Sequence, residues 1–521
     1  MASIDTTDNN SFNTQSLPEN RFAALDIGSN SFHFIYARVV DENIQILHSE
    51  KYRVKLAQGL DDNDELDDNA ITRGIEALNN ITNITGKLTR ENFRVVATFT
   101  LRQAKNAKKF IEAAAKVFPF DIELISGHEE ARLIYQGVAH HTPPEIQRLI
   151  IDIGGGSTEC VIGKNLQTKH LTSLNIGCVS MAKRHFKTGQ LTKSAFKNAI
   201  LDVKQEIEGH VKRFKKAGWQ QVLGTSGTIK SIYNIVNARR EPPQVVTFAE
   251  LIALKKQLIG YQNVDNINIS ALKENRRHIL APGLAVLIGV CEMLDIEGID
   301  YCDYSLREGV LSEQLEQARS EQTANLAQQT YEDVRDRTIN SLATRFNVDE
   351  HQVNNVQAIT EKFIAHANSP WRLNNKVYKK LLFWAVQIHE IGFDINPSGH
   401  HKHAKYIILN ADLAGFNIEQ QQALAWLVGN QRKKVQLDDS QFGYLLNEQA
   451  ILKLGAILRL SILLGQQRQL TEQISFNIKI SIDEIMLTFT KEWLDEHTLF
   501  AADLIQEQKQ LQTLNINLKF C

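Results

Sequence analysis

Two copies of one short unit constrain this chain more than any other feature of its sequence. Residues 149–163 read LIIDIGGGSTECVIG, and residues 22–39 read FAALDIGSNSFHFIYARV. In each copy an apolar run typical of a buried strand ends at an aspartate, and a turn of small residues leads into a second β-rich run. One such turn would be explained by a plain β-hairpin. Two copies predict two related lobes, each offering a turn to one shared phosphate.

The turns themselves supply the candidate phosphate-binding residues, because backbone N–H groups and hydroxyls can approach an anion there. These are Gly28, Ser29, Asn30 and Ser31 in the first turn and Gly154, Gly155, Gly156 and Ser157 in the second. A carboxylate next to a phosphate is repulsive unless a cation lies between them. Asp152 therefore predicts either Mg²⁺ or a role in positioning water.

A third small polar turn follows the strand predicted at residues 221–224. It reads Thr225-Ser226-Gly227-Thr228 and precedes a helix. A helix N-terminus presents free N–H groups, so Ser226, Gly227 and Thr228 form a further candidate anion site.

Two other segments place charged residues next to predicted strand ends. A helix predicted from about residue 100 through 117 has Arg102 near its first turn, where a cation opposes the helix dipole; a solvated side chain and one directed at an anion both remain open. Glu129 and Glu130 lie in the first turn of the next helix, where capping alone would explain them. Only one of the pair can face inward, and a carboxylate near phosphate could have a raised pKa and take a proton from water.

Length and composition limit the number of domains, the classes of partner and the cellular compartment. A chain of 521 residues predicts three or four domains, and a net charge of −2 gives no indication of a nucleic-acid partner. The five cysteines contain no CxxC pair, which favours a reducing compartment, and no apolar run approaches the roughly 18 residues of a membrane span. Residues 1–20 are polar, lack a signal core and predict a disordered tail. We therefore expect a cytoplasmic protein.

The character of the sequence changes near residue 316, where glutamine becomes frequent, glycine rare and the periodicity helical. Alternating runs return at residues 476–480 and 485–490. The predicted units are two α/β lobes at 21–140 and 141–315, a mainly helical domain at 316–435 and a small α+β domain at 436–521. A histidine-rich stretch in the helical part, with His389, His400, His401 and His403, is a candidate metal site.

The two repeated units and the turn at residues 224–228 resemble the phosphate and nucleotide turns of the actin/hexokinase/Hsp70 superfamily. The chain is further similar to the exopolyphosphatase/guanosine-pentaphosphate phosphohydrolase family through the motifs ALDIGSNSFH, ATFTLRQAKNA, ISGHEEARLIYQGVAH, IDIGGGSTE, NIGCVSMA, GTSGTIK and SLREGVL. They occur in this order over residues 21–312. The resemblance implies two actin-like (ribonuclease H-like) lobes followed by an HD-like helical domain. His389-Glu390 replaces the His-Asp pair of a working HD site, which implies a structural or polymer-guiding role there.

The resemblance also implies roles for individual residues. Glu130 would be the general base for the attacking water, and Arg102 would bind the terminal phosphate. Asp152 and Glu159, with help from Asp26, would support Mg²⁺, and a monovalent cation such as K⁺ is a further candidate cofactor.

The implied reaction is in-line attack of water on a terminal phosphoryl group. IDIGGGST, GCVSMA and GTIK favour a processive exopolyphosphatase that releases orthophosphate from inorganic polyphosphate. A guanosine pentaphosphate 5′-phosphohydrolase, which would also bind guanosine tetraphosphate, is the alternative, and an ATP-driven switch between two lobes is a more distant one. A homodimer and peripheral association with a membrane are compatible with the same resemblance.

Overall fold

The computed structural model of the protein describes residues 21–40, 43–85, 88–323, 333–437, 445–465, 476–490 and 493–521. The tail that we expect to be disordered, residues 1–20, lies outside these ranges.

The first lobe is built on a five-stranded sheet in the order β3-β2-β1-β4-β5. Its strands are β1 (Arg21–Ile27), β2 (Phe32–Val40), β3 (Asn43–Tyr52), β4 (Phe93–Ala97) and β5 (Ile122–Leu124). β1 is antiparallel to β2 and parallel to β4. One face of the sheet packs on α1 (Asp68–Thr85), α2 (Phe99–Gln103) and α3 (Ala107–Ala114), and the other on α4 (Gly127–Ala139). Successive side chains of β1 therefore alternate between two apolar cores.

The single helix predicted from residue 100 through 117 is wrong, because the structure divides it into α2 and α3. The amide of Asn106 binds both backbone groups of Leu66, at 2.8 and 3.0 Å, and the Lys105 N–H donates to the Asp64 carbonyl at 2.8 Å. These contacts with the acidic loop compete with helical hydrogen bonds. Arg102 consequently lies in the last turn of a short helix, where its charge agrees with the helix dipole.

The second lobe is built on a six-stranded sheet in the order β10-β11-β9-β6-β7-β8. Its strands are β6 (Arg148–Ile153), β7 (Thr158–Lys164), β8 (Gln167–Leu174), β9 (Gln221–Thr225), β10 (Val246–Thr247) and β11 (Gly298–Tyr301). Its helices are α5 (Cys178–His185), α6 (Lys193–Ala217), α7 (Ser226–Val236), α8 (Phe248–Gly260) and α9 (Arg277–Leu294). β6 is antiparallel to β7 and parallel to β9, which repeats the arrangement around β1.

One helical stretch among the described residues, Glu274–Leu294, is long and apolar enough to cross a membrane by length and composition. Most of it is buried in the core of the second lobe, where α9 packs against the sheet and α6. We interpret it as a core helix.

The two lobes share a central layer formed by α4 and α10 (Leu306–Thr323). The helices cross where Gly137 faces the Ser305 carbonyl and Gly309 faces the Leu133 carbonyl, and neither position has room for a side chain. Buried residues of both sheets, such as Ala24 and Ile150, pack on this layer. α4 therefore lies between the lobes, which places its N-terminus near both of them.

The C-terminal half begins with helices and ends with a small sheet. The helices are α11 (Val334–Arg345), α12 (Glu350–Trp371), α13 (Lys376–Gln387), α14 (His400–Asn410), α15 (Ile418–Gly429), α16 (Glu448–Leu464), α17 (Trp493–Glu496) and α18 (Thr498–Thr513). The sheet has the order β12 (Phe476–Ile480), β13 (Glu484–Phe489) and β14 (Asn517–Phe520). The predicted fold class is confirmed, whereas the boundaries at 140, 315 and 435 stay predictions.

Candidate active site

The two predicted turns have the same backbone geometry. Each closes a β-hairpin, between β1 and β2 in the first lobe and between β6 and β7 in the second. The Gly28 N–H donates to the Ser31 carbonyl at 3.2 Å, and the Gly154 N–H donates to the Ser157 carbonyl at 3.0 Å. Each turn is thus a β-hairpin, and the repeated geometry agrees with two related lobes, while phosphate binding by the turns stays a prediction.

The two turns face each other across the junction of the lobes. A Cβ atom built on Gly155 would lie 2.8 Å from the Ser29 Cβ and 3.6 Å from the Asn30 nitrogen. Glycine is therefore required at this position, because any side chain would separate the turns. The structure brings both predicted sets of phosphate-binding residues to one place, as the repeat predicts.

The third predicted turn lies beside the second one. Ser226 begins α7 with φ of 76°, and its hydroxyl donates to the Ile153 carbonyl at 2.9 Å. Gly227 packs against the Arg276 guanidinium, and Thr228 is buried. A non-glycine residue in the left-handed region is strained and is frequent at functional sites. This turn is tied to the end of β6, the strand that contains Asp152.

Glu130 and Arg102 meet next to these turns. Arg102 Nη1 donates to Glu130 Oε2 at 3.3 Å and to the Ile125 carbonyl at 2.9 Å. Burial raises the pKa of Glu130 to about 7, with Arg102 opposing and Asp152 reinforcing the rise. A carboxylate with this pKa is suited to accept a proton from water near neutral pH.

Glu129 points away from the site. Arg132 donates to its carboxylate from Nε at 2.8 Å and from Nη2 at 2.7 Å, and the Gly415 N–H donates to it at 2.9 Å. Of the two neighbouring carboxylates, Glu130 is thus the one that faces the turns, which agrees with the predicted choice between them. Its role as the base stays a prediction.

Asp26, Asp152 and Glu159 complete a group of buried carboxylates around Glu130. Burial, followed by the charge of Glu130, raises the pKa of Asp26 to about 7. Burial raises the pKa of Asp152 and holds that of Glu159 well above its usual range, with further repulsion of Glu159 by Glu130 and Asp152. Four interacting carboxylates of this kind favour binding of either protons or a cation.

The surroundings of these carboxylates differ. Asp152 Oδ2 accepts from Ser305 at 2.7 Å and from Thr225 at 3.3 Å, and Glu159 Oε1 accepts from Ser173 at 2.8 Å. Oδ1 of Asp26 is buried without a hydrogen-bond partner in the described part of the chain. Ser305 belongs to the SLREGVL motif and Thr225 to the GTSGTIK motif, signals that could have identified both, whereas Ser173 lies in none of the quoted motifs.

Three cations that the sequence reasoning missed lie near Asp26. Asp26, His33 and Lys51 are register neighbours across β1, β2 and β3, while Arg276 and Arg307 approach from the second lobe. Desolvation and the charges of Arg276 and Arg307 lower the pKa of Lys51 to about 7. An anion with several negative charges would relieve this repulsion.

The donor atoms around Asp26 fit the predicted Mg²⁺ only when the substrate supplies further ligands. Within the described ranges, no three His, Cys, Asp or Glu side chains converge closely enough to form a protein-only metal site. Mg²⁺ is commonly held by one or two carboxylates together with substrate phosphates and water. The unpartnered oxygen of Asp26, near Asp152 and the phosphate turns, fits that mode. The ligand roles of Asp26, Asp152 and Glu159 stay predictions.

The histidine-rich stretch shows no metal cluster in the described residues. Burial and the charge of Arg432 lower the pKa of His400 to about 4, and burial and His400 lower that of His401 to about 4. Both rings are neutral at pH 7. Metal binding in this region, including at His403, remains only a prediction.

Comparison with known proteins gives matches along nearly the whole chain. A model of the Ppx/GppA phosphatase family matches residues 35–318, and a model of Ppx/GppA phosphatase, domain III, matches residues 334–508. A guanosine-5′-triphosphate,3′-diphosphate pyrophosphatase of Pseudoalteromonas translucida is 34% identical over 496 residues, covering 94% of this chain and 96% of that protein. One of Vibrio cholerae is 33% identical over 491 residues, with 94% and 96% covered.

Solved structures support the fold. An exopolyphosphatase from Cytophaga hutchinsonii superimposes with a TM-score of 0.53 at 24% identity, covering 57% of this chain and 98% of that one. An exopolyphosphatase-like protein gives a TM-score of 0.51 at 22% identity, covering 56% and 97%. The two lobes thus have the fold that the sequence motifs indicated.

Proposed function

The chain belongs to the Ppx/GppA phosphatase family, and on this premise we propose that it hydrolyses the terminal 5′-phosphate of guanosine pentaphosphate. It is a hydrolase of phosphoanhydride bonds, like its named relatives. The observation that carries the proposal is the hydrogen-bonded pair of Glu130 and Arg102 beside two facing phosphate turns. The choice of a guanosine substrate over polyphosphate reverses the preference drawn from the sequence motifs, because relatives matched over 94% of the chain have this name.

In the proposed reaction a water oxygen bonds to the γ-phosphorus of the 5′-triphosphate. The bond from that phosphorus to the β–γ bridging oxygen breaks, orthophosphate is released and the 5′-diphosphate,3′-diphosphate remains. Glu130 accepts the proton of the attacking water, and Arg102 neutralises charge on the terminal phosphate. Most of the rate enhancement in such transfers comes from positioning and charge stabilisation, which the paired turns supply.

A divalent cation fits the site as a cofactor. Asp26 and Asp152 would hold Mg²⁺, with Glu159 supporting Asp152 from the neighbouring strand. When bound, Mg²⁺ neutralises phosphate charge and orients the phosphate for attack. Chelation should therefore abolish turnover, and titration of Mg²⁺ should restore it.

The cations beside Asp26 support a substrate with more than one phosphate. Lys51, Arg276 and Arg307 repel one another, so binding of further phosphates would be favourable there. These groups recognise phosphate charge without selecting a base. Inorganic polyphosphate, which offers the same terminal phosphoanhydride bond, is for this reason the second candidate substrate.

The test is phosphate release by the purified full-length protein with Mg²⁺, measured in parallel on guanosine pentaphosphate, long-chain polyphosphate and ATP. We expect the highest kcat/KM on guanosine pentaphosphate. A higher value on polyphosphate would move the protein to the second candidate and leave the catalytic assignments unchanged. Binding of ATP with no phosphate release from either of the others would contradict both and favour the ATP-driven switch.

A further inference from the structure

A short segment of the C-terminal half contacts the lobes next to Glu130. This docking segment, residues 412–417, connects α14 to α15. Asp412 Oδ1 lies 2.9 Å from His128 Nδ1, the Gly415 N–H donates to Glu129 Oε2 at 2.9 Å, and Asn417 forms an antiparallel β-bridge with Ile125. All three partners lie within five residues before Glu130.

The same stretch of the first lobe also holds Arg102. The Ile125 carbonyl accepts from Arg102 Nη1, the atom that donates to Glu130. The Ile125 N–H is bound to the Ala97 carbonyl at 3.1 Å, so Ile125 extends the sheet at the point where α4 begins. A shift of residues 125–129 would therefore move both members of the Glu130–Arg102 pair.

Glu129 anchors the docking segment to the interior of the lobes. Arg132 binds Glu129 and also donates to Glu313 of α10 at 2.6 Å, and Glu313 is ion-paired with Arg94 of β4. Although burial alone would raise it, Arg132 and Arg94 lower the pKa of Glu313 to about 2. In this network each charged side chain has a partner of opposite charge. Loss of one partner would leave a buried charge uncompensated.

The backbone of the docking segment is shaped for this contact. Gly415 has φ of 84°, and a Cβ there would lie 2.8 Å from Arg335 Cγ. A cavity of about 630 Å³ lies alongside, between α4, the β7–β8 turn and α11, and Asp412 and Arg132 are among its lining residues. The docking segment therefore borders an open space on one side. Its position against the first lobe consequently depends on its polar contacts with that lobe.

We propose that the docking segment, acting through Glu129 and His128, positions Glu130 and Arg102 for the chemical step. This inference rests on the proposed phosphoanhydride hydrolysis and adds to it that the C-terminal half takes part in turnover. Glu129 and Asp412 are positioning residues, since neither contacts the reacting atoms. The phosphate turns, which bind the substrate, lie outside the contact.

Two variants of the full-length protein test the inference. Glu129→Gln should lower kcat by about 100-fold, the effect of a small misplacement of reacting groups. Asp412→Ala should lower kcat by up to about fivefold, the fold-change that corresponds to the loss of one exposed hydrogen bond. KM should stay within about threefold in both, because substrate binding is retained. Rates are referred to the folded fraction, taken from near-ultraviolet circular dichroism.

The matched control is Glu316→Ala, which removes the contact of Glu316 with His140 at 3.3 Å, at the opposite end of α4. It should leave kcat and KM within about twofold of wild type. Asp412 is exposed to 64%, so its variant keeps the fold even if Glu129→Gln does not. If Asp412→Ala equals the control, or if KM rises while kcat stays constant, the inference is overturned. Wild-type protein that releases no phosphate from any substrate would instead refute the proposed function.

Discussion

Asp26 and Asp152 occupy equivalent positions in the two lobes, yet their surroundings differ. Each is the second-to-last residue of its strand and stands two residues before the glycine that opens its turn. Asp152 accepts hydrogen bonds from Ser305 and Thr225, whereas Oδ1 of Asp26 is buried with no partner in the described residues. A duplicated motif has thus kept its backbone while its carboxylates have diverged. The oxygen left open at Asp26 is the one suited to an external cation.

The largest expected effect comes from Glu130, whose charge acts on both aspartates. Glu130→Gln should lower kcat by about 10²–10⁴-fold, the usual contribution of a general base, while a phosphate-containing substrate still binds. Single-turnover kinetics would measure the chemical step, and equilibrium binding of guanosine pentaphosphate would measure the affinity for the substrate. Turnover close to wild type would remove Glu130 from the mechanism.

The next largest effect should be on the free energy of unfolding, and it should distinguish Asp26 from Asp152. The folded-state pKa of Asp26 is raised from 3.8 to about 7, so the folded protein binds more protons and this group favours folding below about pH 4. That contribution is lost as pH rises from about 4 to about 7. Asp26→Asn should therefore raise the free energy of unfolding at about pH 8 by up to about 4 kcal/mol.

Asp152→Asn should stabilise the metal-free protein less, because the hydrogen bonds from Ser305 and Thr225 already offset part of the cost of burying the Asp152 carboxylate. Urea unfolding of both variants with chelator present compares them. Equal stabilisation would mean that the different surroundings of the two carboxylates have no energetic consequence.

The pH dependence of turnover sharpens the same comparison. If Glu130 must be ionised, log kcat/KM should fall by about one per pH unit below about pH 7. This fall in log kcat/KM at low pH should persist in Asp26→Asn. It should occur at lower pH, because the variant lacks a negative charge next to Glu130. Its disappearance in that variant would assign the controlling ionisation to Asp26. The measurement is kcat/KM from about pH 5.5 to about pH 8.5, with buffers of constant ionic strength.

The smallest effect should come from Ser305. Ser305→Ala removes a donor to Asp152 and makes its environment more like that of Asp26, at a cost of about 1 kcal/mol of stability. The matched variant Ser312→Ala removes a buried hydroxyl of α10 that donates to the Glu308 carbonyl. Only Ser305→Ala should also alter the Mg²⁺ concentration for half-maximal activity. Identical Mg²⁺ titrations for the two variants would contradict the role of Ser305.

Local patterns predicted the parts of the site that lie within single segments. The turns at Gly28 and Gly154, and the helix start that bears Glu130, follow from glycine chemistry and strand periodicity. The hydrogen bond from Ser305 to Asp152 could not be found in this way, because the two residues lie 153 positions apart in the chain. The division between α2 and α3 was missed for the same reason, since Asn106 bonds to Leu66 in place of its own helix. Long-range hydrogen bonds leave no local signal.

The sequence patterns also could not predict the clusters of charged side chains that form between the lobes. Lys51, Arg276 and Arg307 are far apart in sequence, and nothing in the sequence around one of them indicates that the other two lie nearby. The contact of Gly415 with Glu129 joins a loop and a helix start that no pattern connects. Only the packing of the two lobes and the C-terminal half brings these groups together.

The ionic network from Arg94 through Glu313 and Arg132 to Glu129 and Gly415 has a consequence for how the protein melts. It runs from the first lobe through the central helices to the C-terminal half, so separation of any of these parts would remove a hydrogen bond from a buried charged side chain. Unfolding of the lobes and of the C-terminal half should therefore be coupled. Scanning calorimetry of the intact chain should show one heat-absorption peak, and Glu129→Gln should split it into two.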